Sequence, residues 1–322
     1  MSNSITRDAI FNEIHNRGWL VESIGKDDDI YKITDDKGRI SIGRGARLRE
    51  SSSNGVYISK YKDMSYAFVQ SLGYRVPDFL VYKQTESAKA FLATHKSIVV
   101  KPTDAEQSKG VEVGITTEQQ LADAVALATT VSTTGQVLLQ QQVHGKLYRI
   151  LIVNGIFFAA AYRRAPYVVG DGVQTVRQLI ISKNDTPLRS ASQPTPLKPI
   201  NIEHVTAFLQ ERTDEVLAAG TELEVLPVAS ISVGGEAEDV TDSVHSFYRE
   251  TSEQIVRALG LSICGIDIMV EDIESPPAVQ GFYPLIELNS LPGLKLHLFP
   301  TAGGISRDPS AAILDAAFPP TN

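Results

Sequence analysis

One cysteine, Cys264, is all that 322 residues offer, so no internal disulfide can form and packing must hold the fold. A single thiol in an apolar run fits a reducing compartment, and the expected location is cytoplasmic. Long hydrophobic runs are also missing. None reaches the roughly 20 residues that a membrane-spanning helix needs. Residues 1–16 are polar and charged, without the apolar centre of a signal peptide. No membrane partner is therefore expected. Positive charge is in deficit too: 30 Lys and Arg stand against 38 Asp and Glu, for a formal net charge of −8. That balance excludes a nucleic-acid backbone as a partner and requires any anionic ligand to meet a local basic site. Repeats and low-complexity tracts are absent as well. What remains is an ordinary globular composition, 43% hydrophobic and 21% charged, long enough for two or three lobes.

The most informative stretches are Cys264–Val270 and Pro284–Ser290. Ile266, Ile268 and Val270 alternate with Asp267 and Met269, the period of a strand. Glu287 and Asn289 stand two apart, so on a strand they share a face. Ser275-Pro276-Pro277 and Gly281 between the runs predict a hairpin-like connection. Paired side by side, the strands bring Asp267, Glu287 and Asn289 together. Two carboxylates and an amide oxygen form a hard oxygen site suited to Mg²⁺ carrying nucleotide phosphates. The competing reading is a sheet with polar residues at its rim.

Around them the expected class is α+β, in three parts: a small N-terminal lobe (1–58), an α/β lid lobe (59–142) and a larger lobe with an antiparallel sheet (143–322). The first part should hold a helix over 5–16 capped by Thr6 or Asp8, and short strands at 19–21 and 30–33. Its Arg44, Arg47 and Arg49 either meet an acidic substrate or form a solvated face. Residues 51–55 read as a loop and 56–59 as a strand end. Then come helices at 64–72, 87–94 and 118–129 and strands at 76–81, 96–102, 111–115 and 137–140. Asn154-Gly155 between apolar runs predicts a hairpin of 148–153 with 156–164. Helices follow at 173–183, 205–211 and 213–219, and a strand at 222–228. Residues 184–200 carry four prolines and predict an exposed insert. A helix over 246–259 ends at Gly260, and another spans 310–318.

Lys101 closes a buried strand, and Lys109-Gly110 sits on a nearby hairpin tip. Lysine binds phosphate as a point charge, and backbone N–H groups at a glycine add donors. Two surface lysines are the plainer reading. Taken with Val99-Val100-Lys101-Pro102, Arg163-Arg164-Ala165-Pro166, Ser232–Gly235, Asp239–His245, Gly265-Ile266-Asp267 and Glu287–His297, the chain resembles an ATP-grasp ligase over about 58–318. Within that superfamily it is similar to the modules of cyanophycin synthetases and of fused glutathione synthases.

The resemblance implies an ATP-grasp fold with a mobile lid. It implies a carboxylate–amine ligase that joins amino acids or a short peptide through an acylphosphate. By it, Lys62 and Lys101 contact phosphates, and Ser108-Lys109-Gly110 cover the γ-phosphate. Gln140, Gln141, Gln142 and Val143 form the adenine hinge. Asp267, Glu287 and Asn289 hold Mg²⁺, two ions by analogy, with Mn²⁺ as a substitute. Arg149 and either Arg163 or Arg164 stabilise the reacting oxyanions. Adjacent strand residues face opposite ways, so only one of the latter two reaches the cleft. Ser290, Gly293 and His297 lie where substrate binds. A homo-oligomer and small amino-acid or peptide partners accord with the resemblance.

Departures are visible. Ala105 and Ser108 replace glycines common in the phosphate loop. Gln140 stands for a hinge carboxylate, and Leu147 for an acid that holds the ribose. A lost hydrogen bond to a charged group costs about 1.5–3 kcal/mol, so either weak ATP binding or another residue reaching the ribose is expected. Two further readings stay open: a ligase that adds an amino acid to a peptide or protein terminus, and a nucleotide-binding scaffold without turnover.

Overall fold

The computed structural model describes residues 4–48, 51–105, 109–190 and 195–320, with Asp27 and Asp28 described by backbone alone. Helix α1 (Ile5–Asn16) has its expected bounds, but its cap is Ser4, accepting from the Arg7 N–H, rather than Thr6 or Asp8. Thr6 is otherwise engaged: its hydroxyl accepts the Leu294 N–H at 3.0 Å. Strands β1 (Leu20–Ile24), β2 (Asp27–Thr34) and β3 (Ile40–Arg44) form an antiparallel meander. β3 was not expected. Its Ile40 and Ile42 point outward, 62% and 54% exposed, so its apolar alternation marks the wrong side.

Residues 51–59 are a second correction. Helix α2 (Ser53–Lys60) starts there, capped by Ser52, which accepts the Gly55 N–H at 3.2 Å. Gly55 is a packing glycine, because a Cβ on it would lie 2.1 Å from the Leu259 carbonyl oxygen. Helix α3 (Lys62–Ser71) follows directly. Its Tyr66 and Val69 pack into the largest core.

Strands β4 (Phe79–Val81), β5 (Ile98–Pro102), β6 (Glu112–Ile115) and β7 (Val137–Gln141) form a sheet of order β4-β7-β5-β6. Helices α4 (Thr85–His95) and α5 (Glu118–Val131) cover one face, and Ala88, Leu92, Leu121 and Ala128 meet Ile98, Val100 and Leu139. Thr117 and Gln120 close a reciprocal cap at the start of α5.

The larger sheet runs β12-β9-β8-β13-β14, antiparallel throughout. Its strands are β8 (Lys146–Val153), β9 (Ile156–Arg164), β12 (Glu236–Asp239), β13 (Ile263–Val270) and β14 (Leu285–Asn289). Asn154 and Gly155, with φ of 51° and 74°, make the tight β8–β9 turn. Helix α8 (Ser246–Leu259) keeps its expected bounds and stops at Gly260, φ 65°. It packs Ile255, Val256 and Leu259 against Ile150, Ile152, Ile266 and Ile268. Each fully buried isoleucine contributes about 1.5–3 kcal/mol. The opposite face changes character along its length. At one end Leu151, Val153 and Ile263 are apolar core, shared with Ile10, Ile14 and helix α9 (Ser310–Ala317). At the other end Leu147, Arg149, Asp267 and Met269 open into a cleft.

Between β9 and β12 lies an insert with its own core. It contains the ribbon of β10 (Tyr167–Val169) and β11 (Glu222–Glu224), with helices α6 (Val176–Asn184) and α7 (Ile202–Leu209). The expected helix over 213–219 does not form. A 3-10 turn, Gln210–Asp214, breaks the chain at Gln210 (φ 54°), and Val216 then pairs with Thr175. The expected strand over 222–228 shortens to β11. The proline-rich stretch is pinned where it is described. Asn184 clamps Ile200 through paired 2.8 Å bonds, and buried Arg189 donates to Glu236 at 2.6 Å.

Candidate active site

A cavity of about 570 Å³ opens between the two larger sheets. Val99 and Lys101 of β5 and Val113 of β6 line one wall. Leu147 and Arg149 of β8, Arg163 of β9, Asp267 and Met269 of β13, and Ile286, Glu287 and Asn289 of β14 line the other. Strand register explains the second wall. Arg149, Asp267 and Glu287 are directly opposed across β8, β13 and β14, so all three share a face.

Asp267 is 2% exposed and held by two guanidiniums. Arg149 donates from Nε to Oδ1 and from Nη2 to Oδ2 at 3.0 Å, and Arg163 donates from Nη1 to Oδ2 at 2.6 Å. Burial alone would raise the Asp267 pKa, but Arg149 and Arg163 outweigh it and hold the carboxylate below its usual range. For Arg149, burial works against the charge and Asp267 restores it, with a net rise. Glu287 is more open. Its Oε1 accepts the Asn289 Nδ2 at 2.9 Å, and its Oε2 lies 3.9 Å from Lys62 Nζ.

The facing wall is built differently. Lys101 is 3% exposed, and its Nζ donates to Gln140 Oε1 at 2.5 Å and to Tyr66 Oη at 3.1 Å. No carboxylate touches it among the described residues. Burial, then the nearby Lys62 charge, pulls its pKa down to about 7, and Glu287 offsets only part of that. Lys62 opens α3 and donates from Nζ to the Ala105 carbonyl at 2.7 Å.

The donor set can be tested against a divalent cation. Among the described residues no group of three or more His, Cys, Asp or Glu is gathered for a metal. Glu287 offers oxygen to the cavity, and Asn289 keeps Oδ1 free because Nδ2 serves Glu287. Asp267 lends a remaining lone pair beside its arginines. Two carboxylates and an amide fit Mg²⁺, which is held by one or two carboxylates plus substrate phosphates rather than by a full protein cage.

The other expected site residues divide. Arg163 faces the cleft, whereas Arg164 points away, paired with Glu222 and stacked 3.9 Å over Tyr167. Gln142, Val143 and Gly293 line the cavity, and Ser290 lines an adjoining one. Gln140 also lines the cavity; its backbone pairs with Phe79 and Val99 in the sheet, and its side chain accepts from Lys101. Gln141 turns outward, accepting the Asp78 N–H. The stretch Gln142–Gly145 lines the cavity. Lys109 and Gly110 lie outside the cavity lining, with Gly110 packed on Pro102 and Val131. Ser108 lies outside the described residues. His297 is buried beneath the site, with both ring nitrogens unpartnered and a pKa lowered to about 3 by burial and then by Arg149. Tyr66 was missed. Its signal was position, four residues after Lys62 on one helical face. Leu147, at the expected ribose position, is an apolar part of the wall.

The fold that holds these two walls is shared with a solved structure. The chain superposes on a bifunctional glutathione synthetase from Pasteurella multocida with a TM-score of 0.76 and 25% identity, over 99% of this chain and 44% of that one. The fold is the ATP-grasp fold. More particularly, the family model described as "Prokaryotic glutathione synthetase, ATP-grasp domain" matches residues 66–171. The chain is 30% identical over 295 residues to cyanophycin synthetase of Geminocystis herdmanii, covering 87% of this chain and 33% of that protein. It is 26% identical over 325 residues to the glutathione biosynthesis bifunctional protein GshAB of Mannheimia succiniciproducens, covering 98% and 42%. The chain thus spans well under two thirds of these relatives. Among the described residues no helix is long and apolar enough to cross a membrane.

Proposed function

We propose that the chain is an ATP- and Mg²⁺-dependent carboxylate–amine ligase acting on amino acids or a short peptide. The observation that carries this reading is the convergence of Lys62, Lys101, Arg149, Arg163, Asp267, Glu287 and Asn289 on one cavity. Lys101 and Lys62 draw the phosphates to the basic wall. Asp267, Glu287 and Asn289 would hold the cation, which neutralises phosphate charge when bound. A substrate carboxylate oxygen attacks the γ-phosphorus, and the bond to the bridging oxygen of ADP breaks. The amine nitrogen then attacks the acyl carbon, the carbon–oxygen bond to phosphate breaks, and the nitrogen loses a proton. Charge grows first on the phosphoryl oxygens and then on the acyl oxygen. Preorganised Arg149 and Arg163 meet it without reorganising, and such positioning is most of what phosphoryl transfer requires. Val99, Val113, Leu147 and Met269 give the adenine an apolar slot beside Gln142 and Val143. A second cation, or Mn²⁺ in place of Mg²⁺, is compatible with the same oxygens. The test is ADP and phosphate release across pairs of acids and amines. Release that depends on both substrates and on Mg²⁺ is the expected result. Release no faster than in Asp267→Asn for every pair would reject the ligase.

A further inference from the structure

A second cavity of about 570 Å³ adjoins the first, and the two share Lys62, Ala105, Glu287, Asn289 and Leu291. Its far end is formed by Arg44, Arg47 and Lys60. None of these three pairs with an acid among the described residues. The backbone that carries Arg44 and Arg47 is pinned. The Arg44 and Arg47 N–H groups each donate to the other's carbonyl at 2.9 Å. Tyr31 Oη donates to the Gly45 carbonyl at 2.5 Å, and the Gly45 N–H donates to the Asp29 carbonyl at 3.0 Å. Burial and then the neighbouring Arg44 charge both lower the Arg47 pKa. Among the described residues the basin thus holds four cations against one carboxylate, Glu287, in a chain of net charge −8. Like charges held together without a partner disfavour each other. Guanidinium forks match carboxylates in a bidentate manner.

We propose that this basin seats a carboxylate of the acid substrate other than the one that reacts. The acid is then a dicarboxylic amino acid, or a peptide with a free acid end. One carboxyl faces Lys62, Glu287 and Asn289 for activation, and the other faces Arg44 and Arg47. This rests on the ligase reading, but its test does not need turnover.

The full chain is titrated calorimetrically with glutarate and, separately, with the monoacid butyrate. Glutarate is expected to bind at least about tenfold tighter than butyrate, and added salt should shrink that margin. Arg44→Gln and Arg47→Gln should each weaken glutarate about ten- to hundredfold, the loss of a charge-assisted bond, and leave butyrate unchanged. Arg47→Lys should recover part of the loss. Equal binding of the two acids by the unaltered chain overturns the proposal, even if every variant misfolds. Displacement of glutarate by equimolar inorganic phosphate also overturns it and reassigns the pair to a phosphate group. Turnover is scored separately. Neutral monoacids used as well as diacids would reject the basin and spare the ligase. Selective glutarate binding without turnover would spare the basin and reject the ligase.

Discussion

The two walls of the main cleft solve the burial of charge in opposite ways. On the β13 wall, Asp267 is wrapped by Arg149 and Arg163, so its charge is compensated before any ligand arrives. On the β5 wall, Lys101 has only an amide oxygen and a phenol, and burial has taken it most of the way to neutrality. One wall is assembled in advance, and the other is left short of negative charge. The contrast implies that phosphate binding completes the basic wall, while the acidic wall depends on its own arginines to stay folded.

The strongest way to break this comparison is Asp267→Asn. Removing one partner of a buried ionic cluster costs about 3–5 kcal/mol, so denaturant unfolding should show a loss of that size. A loss below about 1 kcal/mol would mean that the arginines are not held as described. The matching change on the other wall is Lys101→Met. Stability should shift by less than about 1 kcal/mol in either direction, because Tyr66 still donates to Gln140. Nucleotide affinity should nonetheless fall about ten- to hundredfold, measured by titration with ADP and Mg²⁺.

The pH response sharpens the contrast. Free Lys101 keeps its proton only below about pH 7, whereas the unfolded residue keeps it up to 10.5. Between those values the unfolded chain binds more protons, so this group makes stability rise with pH across that window. Asp267, with its pKa lowered, acts in acid: its contribution is present above the ordinary carboxylate range and lost as pH falls below it. Phosphates favour the ammonium form of Lys101, so nucleotide binding above pH 7 should take up a proton and weaken as pH rises. Calorimetry in two buffers of different ionisation enthalpy counts that proton, and net release would contradict the assignment. The smallest effect belongs to Arg164→Ala. It should change turnover less than twofold and stability by no more than about 1 kcal/mol, since its partner Glu222 is exposed.

Much of this was legible in the chain itself. Alternation in 264–270 and 285–289 placed Asp267, Glu287 and Asn289 on one face, and the register confirms that shared face. Asn154-Gly155 marked its hairpin, and α8 ended where Gly260 stops it. The failures have physical causes. β3 was hidden because its apolar residues face outward. α2 was read as loop and strand because Gly55 looked like a breaker, although it makes room for the Leu259 carbonyl. The bond from Tyr66 to Gln140 is not legible in the sequence, because the two residues lie 74 positions apart and no local pattern reports such a contact.

Tyr66 carries a consequence of its own. Its hydroxyl contacts Lys101 Nζ, lies 2.7 Å from Gln140 Oε1 and lies 3.0 Å from the Ile286 carbonyl, the residue before Glu287. A phenol has a single proton, so the two acceptors compete for it. Whatever draws the ammonium away from the amide tips that competition, and the strand bearing Glu287 then gains or loses a tether. A single hydroxyl thereby ties the buried lysine of one shore of the cleft to the strand that carries the carboxylate of the other.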